Sequence, residues 1–169
     1  IYRGHQISSK GYLKSIKNFI AYCSLLETSD KSLKQNQRVR VHIGTNESIA
    51  RVSLVNINEL KPGKTCILLI KLESEMITTM DDKFILRAFS PMVTIGWGIV
   101  INEVEDMKWK NIKKYIKNIS SLDSNERKIY IIENQKFNPL TYEQTKIKFG
   151  LGDQQIDQFV NNNKSISYI

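Results

Sequence analysis

The sequence predicts a mainly β barrel of six or seven antiparallel strands, followed by an α-rich module. Short segments with strand patterns, separated by turns, fill the first 101 residues of a 169-residue chain. Near residue 102 the spacing of apolar residues changes from two to between three and four, and helix-capping patterns follow. We therefore expect a barrel in residues 1–101, a helical linker in 102–123 and an incomplete winged-helix module in 124–169.

The clearest strand pattern lies in residues 37–43, where apolar and polar side chains alternate. Val39, Val41 and Ile43 are expected to face the core. Arg38, Arg40 and His42 then face the other side. The remaining strands are predicted from apolar or alternating runs bounded by turn residues, at residues 17–26, 48–55, 65–72, 84–89 and 93–101, with Ile7 at the start of the set. This number and spacing of strands is typical of a closed barrel.

After residue 102, apolar residues recur at the spacing of one helix face. This stripe consists of Val104, Met107, Ile112, Tyr115, Ile116 and Ile119.

Helix-boundary residues divide the rest of the chain. Ser124 is predicted to cap a helix from Asn125 to about Asn134. Thr141 opens a capping box with Gln144, and the helix that follows ends at Gly150, a residue suited to the left-handed cap.

Asp153 is predicted to cap a second short helix, which runs through Val160, and residues 164–169 form a predicted strand. Three helices and a strand are the order of a winged-helix module without its last strand. That last helix contains two acidic residues and no basic one, which favours a structural role over nucleic-acid recognition.

Composition excludes several classes of protein. Hydrophobic residues make up 41% of the chain, which is enough for a core and excludes wholesale disorder. No apolar run reaches the roughly 18 residues of a transmembrane helix. Cys23 and Cys66 lie in apolar runs, so we expect two reduced, buried thiols and a cytoplasmic location. The chain starts at Ile1 without Met, from which we expect a piece of a longer protein.

Positive charge is concentrated in the predicted barrel. The net charge is +8, and residues 1–101 contain 14 Lys and Arg against 8 Asp and Glu. Part of the lysine excess has an alternative explanation in the coding bias of an AT-rich genome. The basic candidates on predicted strands are Arg38, Arg40, His42, Arg51 and Arg87. They form either a solvated barrel face or contacts to phosphates, which arginine binds bidentately.

A second group of basic residues lies in the predicted linker, at Lys108, Lys110, Lys113, Lys114 and Lys117. A solvated helix face is the default interpretation of such a run, and RNA binding is the functional one.

The sequence contains no recognisable catalytic constellation. His5 and His42 have no ligand partners at metal-binding spacing, and there is no Walker-type phosphate loop and no dinucleotide fingerprint. The segment 96–98 (GWG) lies inside a predicted strand, where it indicates a bulge or a tight bend. We therefore expect no enzymatic activity, no metal and no cofactor in this chain itself.

Several segments resemble the third domain of bacterial selenocysteine-specific elongation factors. The resemblance covers residues 3–101 and continues more weakly through 102–169, where residues 140–151 look like the first winged-helix unit. Its most specific segments are 37–45 (QRVRVHIGT), 50–52 (ARV), 60–63 (LKPG), 82–87 (DKFILR), 90–91 (SP) and 94–98 (TIGWG).

The resemblance implies a translation-factor barrel like the third domain of elongation factor Tu. It implies a parent GTPase that delivers selenocysteyl-tRNA to the ribosome at UGA codons and holds an mRNA hairpin through later winged-helix domains. GTP and magnesium would belong to a G domain outside this chain. This chain would contact the tRNA backbone and connect the GTPase core to the winged-helix arm.

The resemblance also extends the set of candidate residues to Gly96 and Gly98, where the related factor brings its backbone near the T-stem. Arg87 lies where the family has an arginine on the preceding strand. One departure is Trp97, because the family commonly has glycine between these two glycines. A tryptophan either blocks close approach there or packs on a neighbour.

Two other functions remain as alternatives. The barrel could be an interdomain scaffold whose arginines serve protein contacts, or the chain could be a winged-helix regulator that binds DNA. A Walker-type loop encoded upstream of Ile1 would exclude the regulator.

Overall fold

The computed structural model describes residues 6–7, 13–105, 108–134, 139–163 and 166. The chain divides into two compact units, the first ending at Ser120 and the second beginning at Ser121. Each unit is described by itself. None of the helices in the described residues combines the length and the hydropathy needed to cross a bilayer.

The first unit contains the predicted barrel. Its strands are β1 (Ser15–Leu25), β2 (Leu33–Lys34), β3 (Arg38–Ile43), β4 (Asn46–Leu54), β5 (Glu59–Leu60), β6 (Thr65–Ile77), β7 (Lys83–Ala88) and β8 (Thr94–Glu103). Six of them close an antiparallel barrel in the order β1-β6-β4-β3-β7-β8, and β2 pairs with β5. The barrel prediction is confirmed. The strand predicted to start at Ile7 is wrong, because Ile7 is 81% exposed and lies outside the strands.

Alternation along the strands builds the barrel core. In β3 every second side chain is buried, and these are the predicted Val39, Val41 and Ile43. The rings of Phe19 and Phe84 meet edge to face with their centroids 5.8 Å apart. Burial of such side chains is the main contribution to the stability of the barrel.

The two cysteines lie opposite each other on β1 and β6 as free thiols. Cys23 is buried and Cys66 half-buried. Burial raises the pKa of the Cys66 thiol to about 11 and raises that of Cys23 as well. Both thiols therefore remain protonated at neutral pH.

The first unit ends with α1 (Trp109–Ile119), whose buried residues are Ile112, Ile116 and Ile119. These belong to the predicted apolar stripe, as does the buried Val104, while Met107 lies outside the described residues. On β8, the Asn102 amide Nδ2 donates a hydrogen bond to the Tyr115 hydroxyl at 3.0 Å.

The second unit contains α2 (Ser124–Glu133), α3 (Tyr142–Phe149) and α4 (Asp153–Asn162). The cap of α2 is Asp123 rather than the predicted Ser124, because the Asp123 carboxylate accepts from the Glu126 N–H at 2.8 Å. Likewise Gly152, not Asp153, holds the N-cap position of α4.

The predicted boundaries of α3 are confirmed. The Thr141 hydroxyl accepts from the Gln144 N–H at 3.2 Å, and the Gln144 side chain accepts from the Thr141 N–H at 2.9 Å. Gly150 ends the helix in the left-handed region with φ of 62°. The strand predicted for residues 164–169 lies outside the described residues except for Ile166, which is not in a strand. The winged-helix assignment stays a prediction.

Candidate nucleic-acid interface

The outer face of the barrel brings the five predicted basic strand residues together on β3, β4 and β7. Arg38 lies directly opposite Arg51, and Arg40 lies directly opposite Arg87. Arg51 in turn lies opposite Lys71 on β6, a residue that the sequence argument missed. Like charges placed opposite each other on one sheet face repel, so this arrangement opposes folding unless other charges compensate it.

Glu73 compensates part of this charge. Its carboxylate accepts two hydrogen bonds from Arg38, from Nε at 2.7 Å and from Nη2 at 2.6 Å. These bonds, with smaller contributions from the charges of Arg38 and Arg51, hold the pKa of Glu73 below its usual range. The Arg38 guanidinium also lies over the Phe89 ring, 4.6 Å from its centroid. Arg38 is therefore held in one orientation by a carboxylate and an aromatic ring.

Glu47 lies among the other basic residues. It forms an ion pair with Arg40, and its Oε2 lies 3.8 Å from Nδ1 of His42. The hydrogen bond from Arg40 is the main cause that lowers the pKa of Glu47, and the charges of His42 and Arg87 add to it. Two glutamates thus lie within a group of four arginines. Neither was identified from the sequence, since each is paired to its arginine only by strand register.

Arg51 and Arg87 donate hydrogen bonds to backbone oxygens rather than to carboxylates. Arg51 Nη1 donates to the Asn36 carbonyl at 3.3 Å, and Arg87 Nη2 donates to the Met92 carbonyl at 2.6 Å. The Nε atoms of Arg40 and Arg87 are buried and have no hydrogen-bond partner within the described residues. With Lys71 included, five basic side chains outnumber the two glutamates, so the face keeps a net positive charge.

Gly96 and Gly98 are explained by packing inside the barrel. A Cβ on Gly96 would lie 2.5 Å from the Ser24 carbonyl oxygen, and a Cβ on Gly98 would overlap the Phe84 ring and the Tyr22 carbonyl. Both residues pair in register with β1, but in the β7–β8 ladder Leu86 pairs with Gly96 and Arg87 with Thr94, which leaves Ile95 as an extra residue on β8. The expected bulge is therefore found at the start of this segment, at Ile95 and Gly96, and the pairing is regular from Gly96 to Gly98. The RNA contact of these glycines stays a prediction.

Trp97 lies on the outer surface between the two glycines and packs on a neighbour. Trp97 is 43% exposed, and its ring lies against that of Tyr22 with the centroids 6.0 Å apart. Across the β7–β8 ladder it lies opposite Ile85, which is 49% exposed. These two side chains form an exposed apolar pair next to the basic face, because Ile85 is also opposite His42.

The predicted linker lysines lie on α1, away from the strand arginines in sequence. Lys110, Lys113, Lys114 and Lys117 are all exposed. Their spacing places them on one side of the helix. Within the described residues, no group of three or more His, Cys, Asp or Glu side chains could hold a metal ion.

Comparison with known families supplies the deciding observation. The family model for the β-barrel domain of selenocysteine-specific elongation factors matches residues 21–105. The chain belongs to this family. A selenocysteine-specific elongation factor from Desulfomicrobium baculatum is 25% identical over 99 residues, which are 59% of this chain and 15% of that protein. The chain thus spans a small part of the length of the curated relative it matches.

The match places the candidate residues in two groups. The basic strand residues, the two glutamates and both glycines all lie within the part that matches the selenocysteine-factor barrel. The lysines of α1 lie after residue 105 and outside it. The family match therefore includes the barrel face but does not extend to α1.

Proposed function

We propose that this barrel contacts the backbone of selenocysteyl-tRNA through the outer face of β3, β4 and β7. The net positive charge of that face, with arginines from three adjacent strands, supports the proposal. A-form RNA is recognised largely through phosphates and 2′-hydroxyls. Arginine suits such contacts because its planar guanidinium binds phosphate bidentately. Arg51 and Arg87 are the best placed of the group, since their hydrogen bonds go to backbone carbonyls and neither forms an ion pair with a carboxylate among the described residues.

The wider role follows from the family. We propose that the chain belongs to a cytoplasmic GTPase that delivers selenocysteyl-tRNA to the ribosome at UGA codons. GTP and magnesium would bind a G domain, and an mRNA hairpin would bind further winged-helix domains. In that protein the chain would connect the GTPase core to the mRNA-binding arm.

The proposal is tested by tRNA titration of the 169-residue chain. A fluorescent selenocysteine-tRNA transcript is titrated at several salt concentrations between 50 and 200 mM, a range in which phosphate contacts dominate the salt dependence. The double variant Arg51→Gln, Arg87→Gln should lower the salt slope by about 1.8, since each lost phosphate contact removes about 0.9. At 0.1 M salt this corresponds to roughly eightfold weaker binding per contact.

The matched control is Lys61→Gln combined with Lys64→Gln, which removes the same charge from two exposed residues of the turn before β6. If the control weakens binding as much as the arginine variant, general charge rather than this face explains the affinity. An unchanged slope in the arginine variant would reject the proposed contact.

An interdomain scaffold is the second candidate, and the exposed pair Ile85 and Trp97 favours it. An apolar pair of this kind is expected where another domain packs. The double variant Ile85→Ser, Trp97→Ser should then abolish binding of this chain to the separately expressed remainder of the factor, measured by calorimetry. Unchanged binding would exclude this pair as the docking surface.

A further inference from the structure

The four exposed lysines of α1 form a continuous basic stripe. Lys110, Lys113, Lys114 and Lys117 follow the i, i+3, i+4, i+7 spacing that aligns side chains along a helix. At 1.5 Å per residue the stripe is about 10.5 Å long. The buried residues of α1 lie on the opposite side of the helix from this stripe. One side of the helix is therefore packed, and the other presents the lysines.

This charge is not compensated within the described part of the chain. None of the four lysines has a carboxylate within ion-pair distance among those residues, and Lys113 alone has a ring contact, 5.6 Å above Trp109. Arg38 and Arg40 differ, because Glu73 and Glu47 neutralise part of their charge. The four lysines of α1 therefore keep positive charge that is available to an anionic ligand.

The positive charges on α1 also destabilise the helix itself. Like charges three and four residues apart on a helix repel. The first turn contains no acidic residue, and the N-cap residue Lys108 makes no capping hydrogen bond with its side chain. Positive charge at a helix N-terminus is unfavourable to the helix dipole. An anionic partner along the stripe would relieve both effects.

We propose that the lysine stripe of α1, defined as Lys110, Lys113, Lys114 and Lys117, binds the sugar-phosphate backbone of an RNA duplex, separately from the barrel face. This proposal rests on the proposed function in one respect, namely that the ligand is RNA. It does not require the arginine contacts of the barrel face. A membrane surface fits less well, because Ile112, Ile116 and Ile119 are buried and leave the stripe no apolar side chains to insert.

An acidic protein also fits less well. Protein interfaces usually concentrate their binding energy in buried aromatic and arginine anchors. The stripe contains only lysines, whose flexible point charges suit a regular array of phosphates.

The test uses the 169-residue chain and a fluorescein-labelled RNA duplex of 20 base pairs, followed by anisotropy at several salt concentrations. The quadruple Lys→Gln variant of the stripe should lower the salt slope by about 3.6, at about 0.9 for each phosphate contact. Glutamine is a good helix former, and circular dichroism verifies that α1 persists. A quadruple Lys→Arg variant keeps the charge and should keep the slope within about one.

The matched control is the quadruple Lys→Gln variant of exposed lysines outside both basic surfaces, Lys17, Lys34, Lys61 and Lys64. It removes the same charge and should lower the slope by less than one. An equal fall in both quadruple variants, or no fall in the stripe variant, would overturn the proposal. Stripe-dependent binding to phosphatidylserine vesicles, or preferential displacement of the RNA by duplex DNA, would also overturn it.

The double variant Arg51→Gln, Arg87→Gln is measured beside these. If it leaves the slope unchanged while the stripe variant lowers it, the barrel contact fails and the α1 contact stands. The opposite result rejects the stripe and supports the barrel face.

Discussion

Replacing Gly96 by alanine is expected to destabilise the barrel, because β8 holds this residue against the backbone of β1. Gly96 pairs with Leu25 on one side and Leu86 on the other, so two neighbouring strands fix its position. A Cβ would lie 2.5 Å from the Ser24 carbonyl oxygen and 3.0 Å from Cδ2 of Leu25. The Leu25 methyl group can move aside because its side chain rotates. The Ser24 carbonyl cannot, because it is part of the backbone of β1.

The size of the effect follows from these contacts. A relaxed carbon–oxygen contact is about 3.3 Å long, so the two strands would have to separate by roughly 0.8 Å. Overpacking a core commonly destabilises by about 1–3 kcal/mol, and a clash with backbone belongs near the upper end. Alanine also restricts the unfolded chain, which offsets about 0.4–1 kcal/mol. The expected net decrease in the free energy of unfolding is roughly 2 kcal/mol.

Urea unfolding followed by tryptophan fluorescence measures this decrease, since both tryptophans, Trp97 and Trp109, lie in the first unit. With a slope of about 2 kcal/mol/M, the midpoint should fall by about 1 M. Thr94→Ala, at an exposed position of the same strand, is the control and should change stability by less than about 1 kcal/mol. A decrease below about 0.5 kcal/mol in Gly96→Ala, together with weaker RNA binding, would refute internal packing as the reason for glycine here.

Three further predictions concern ionisation and capping. The pKa of Glu73 is low because of Arg38, so the stability this pair contributes is present above the unfolded-state pKa and lost as pH falls through the folded-state value. Arg38→Gln should raise that pKa in an NMR titration, and an unchanged value would contradict the pairing. Cys66, with its pKa raised to about 11, should react with iodoacetamide at pH 8 roughly 100-fold more slowly in the native chain than in urea, and equal rates by mass spectrometry would contradict its burial. Thr141→Ala should weaken α3 by about 1 kcal/mol, seen as faster amide hydrogen exchange in α3 with unchanged exchange in the barrel, whereas unchanged exchange in α3 would show that the hydroxyl cap is dispensable.

Local patterns predicted most of the barrel, and the misses share a physical cause. Residues 37–43 were assigned within one residue of β3, because alternation with one buried face is a local signal. The prediction for β6 stopped at Leu72, whereas the strand continues to Ile77 through three exposed polar residues, 73–75, that have no apolar signal. The two-residue strands β2 and β5 are too short to show any period.

The basic residues of the candidate site could be predicted from the sequence, whereas its acidic residues could not. Arg38, Arg40 and Arg51 were identified because basic side chains alternate with apolar ones along a strand. Glu73 is 35 residues from Arg38 in sequence, and their pairing depends on the order of β6, β4 and β3 in the barrel. The capping residue Asp123 was missed for a simpler reason, since the neighbouring Ser124 is an equally good cap by residue type.

The two basic surfaces should respond differently to salt, and the acids explain why. On the barrel face, a phosphate that binds Arg38 or Arg40 must replace Glu73 or Glu47, so part of the electrostatic gain is lost when the existing ion pair breaks. Fewer counterions are then released for each contact, and the salt slope for each of these two arginines should be below 0.9. The lysines of α1 have no such competitor within the described residues, so each should contribute close to the full value. The glutamates also hold the guanidinium groups of Arg38 and Arg40 in fixed orientations. These ion pairs therefore weaken phosphate binding on the barrel face but give its contacts a defined geometry.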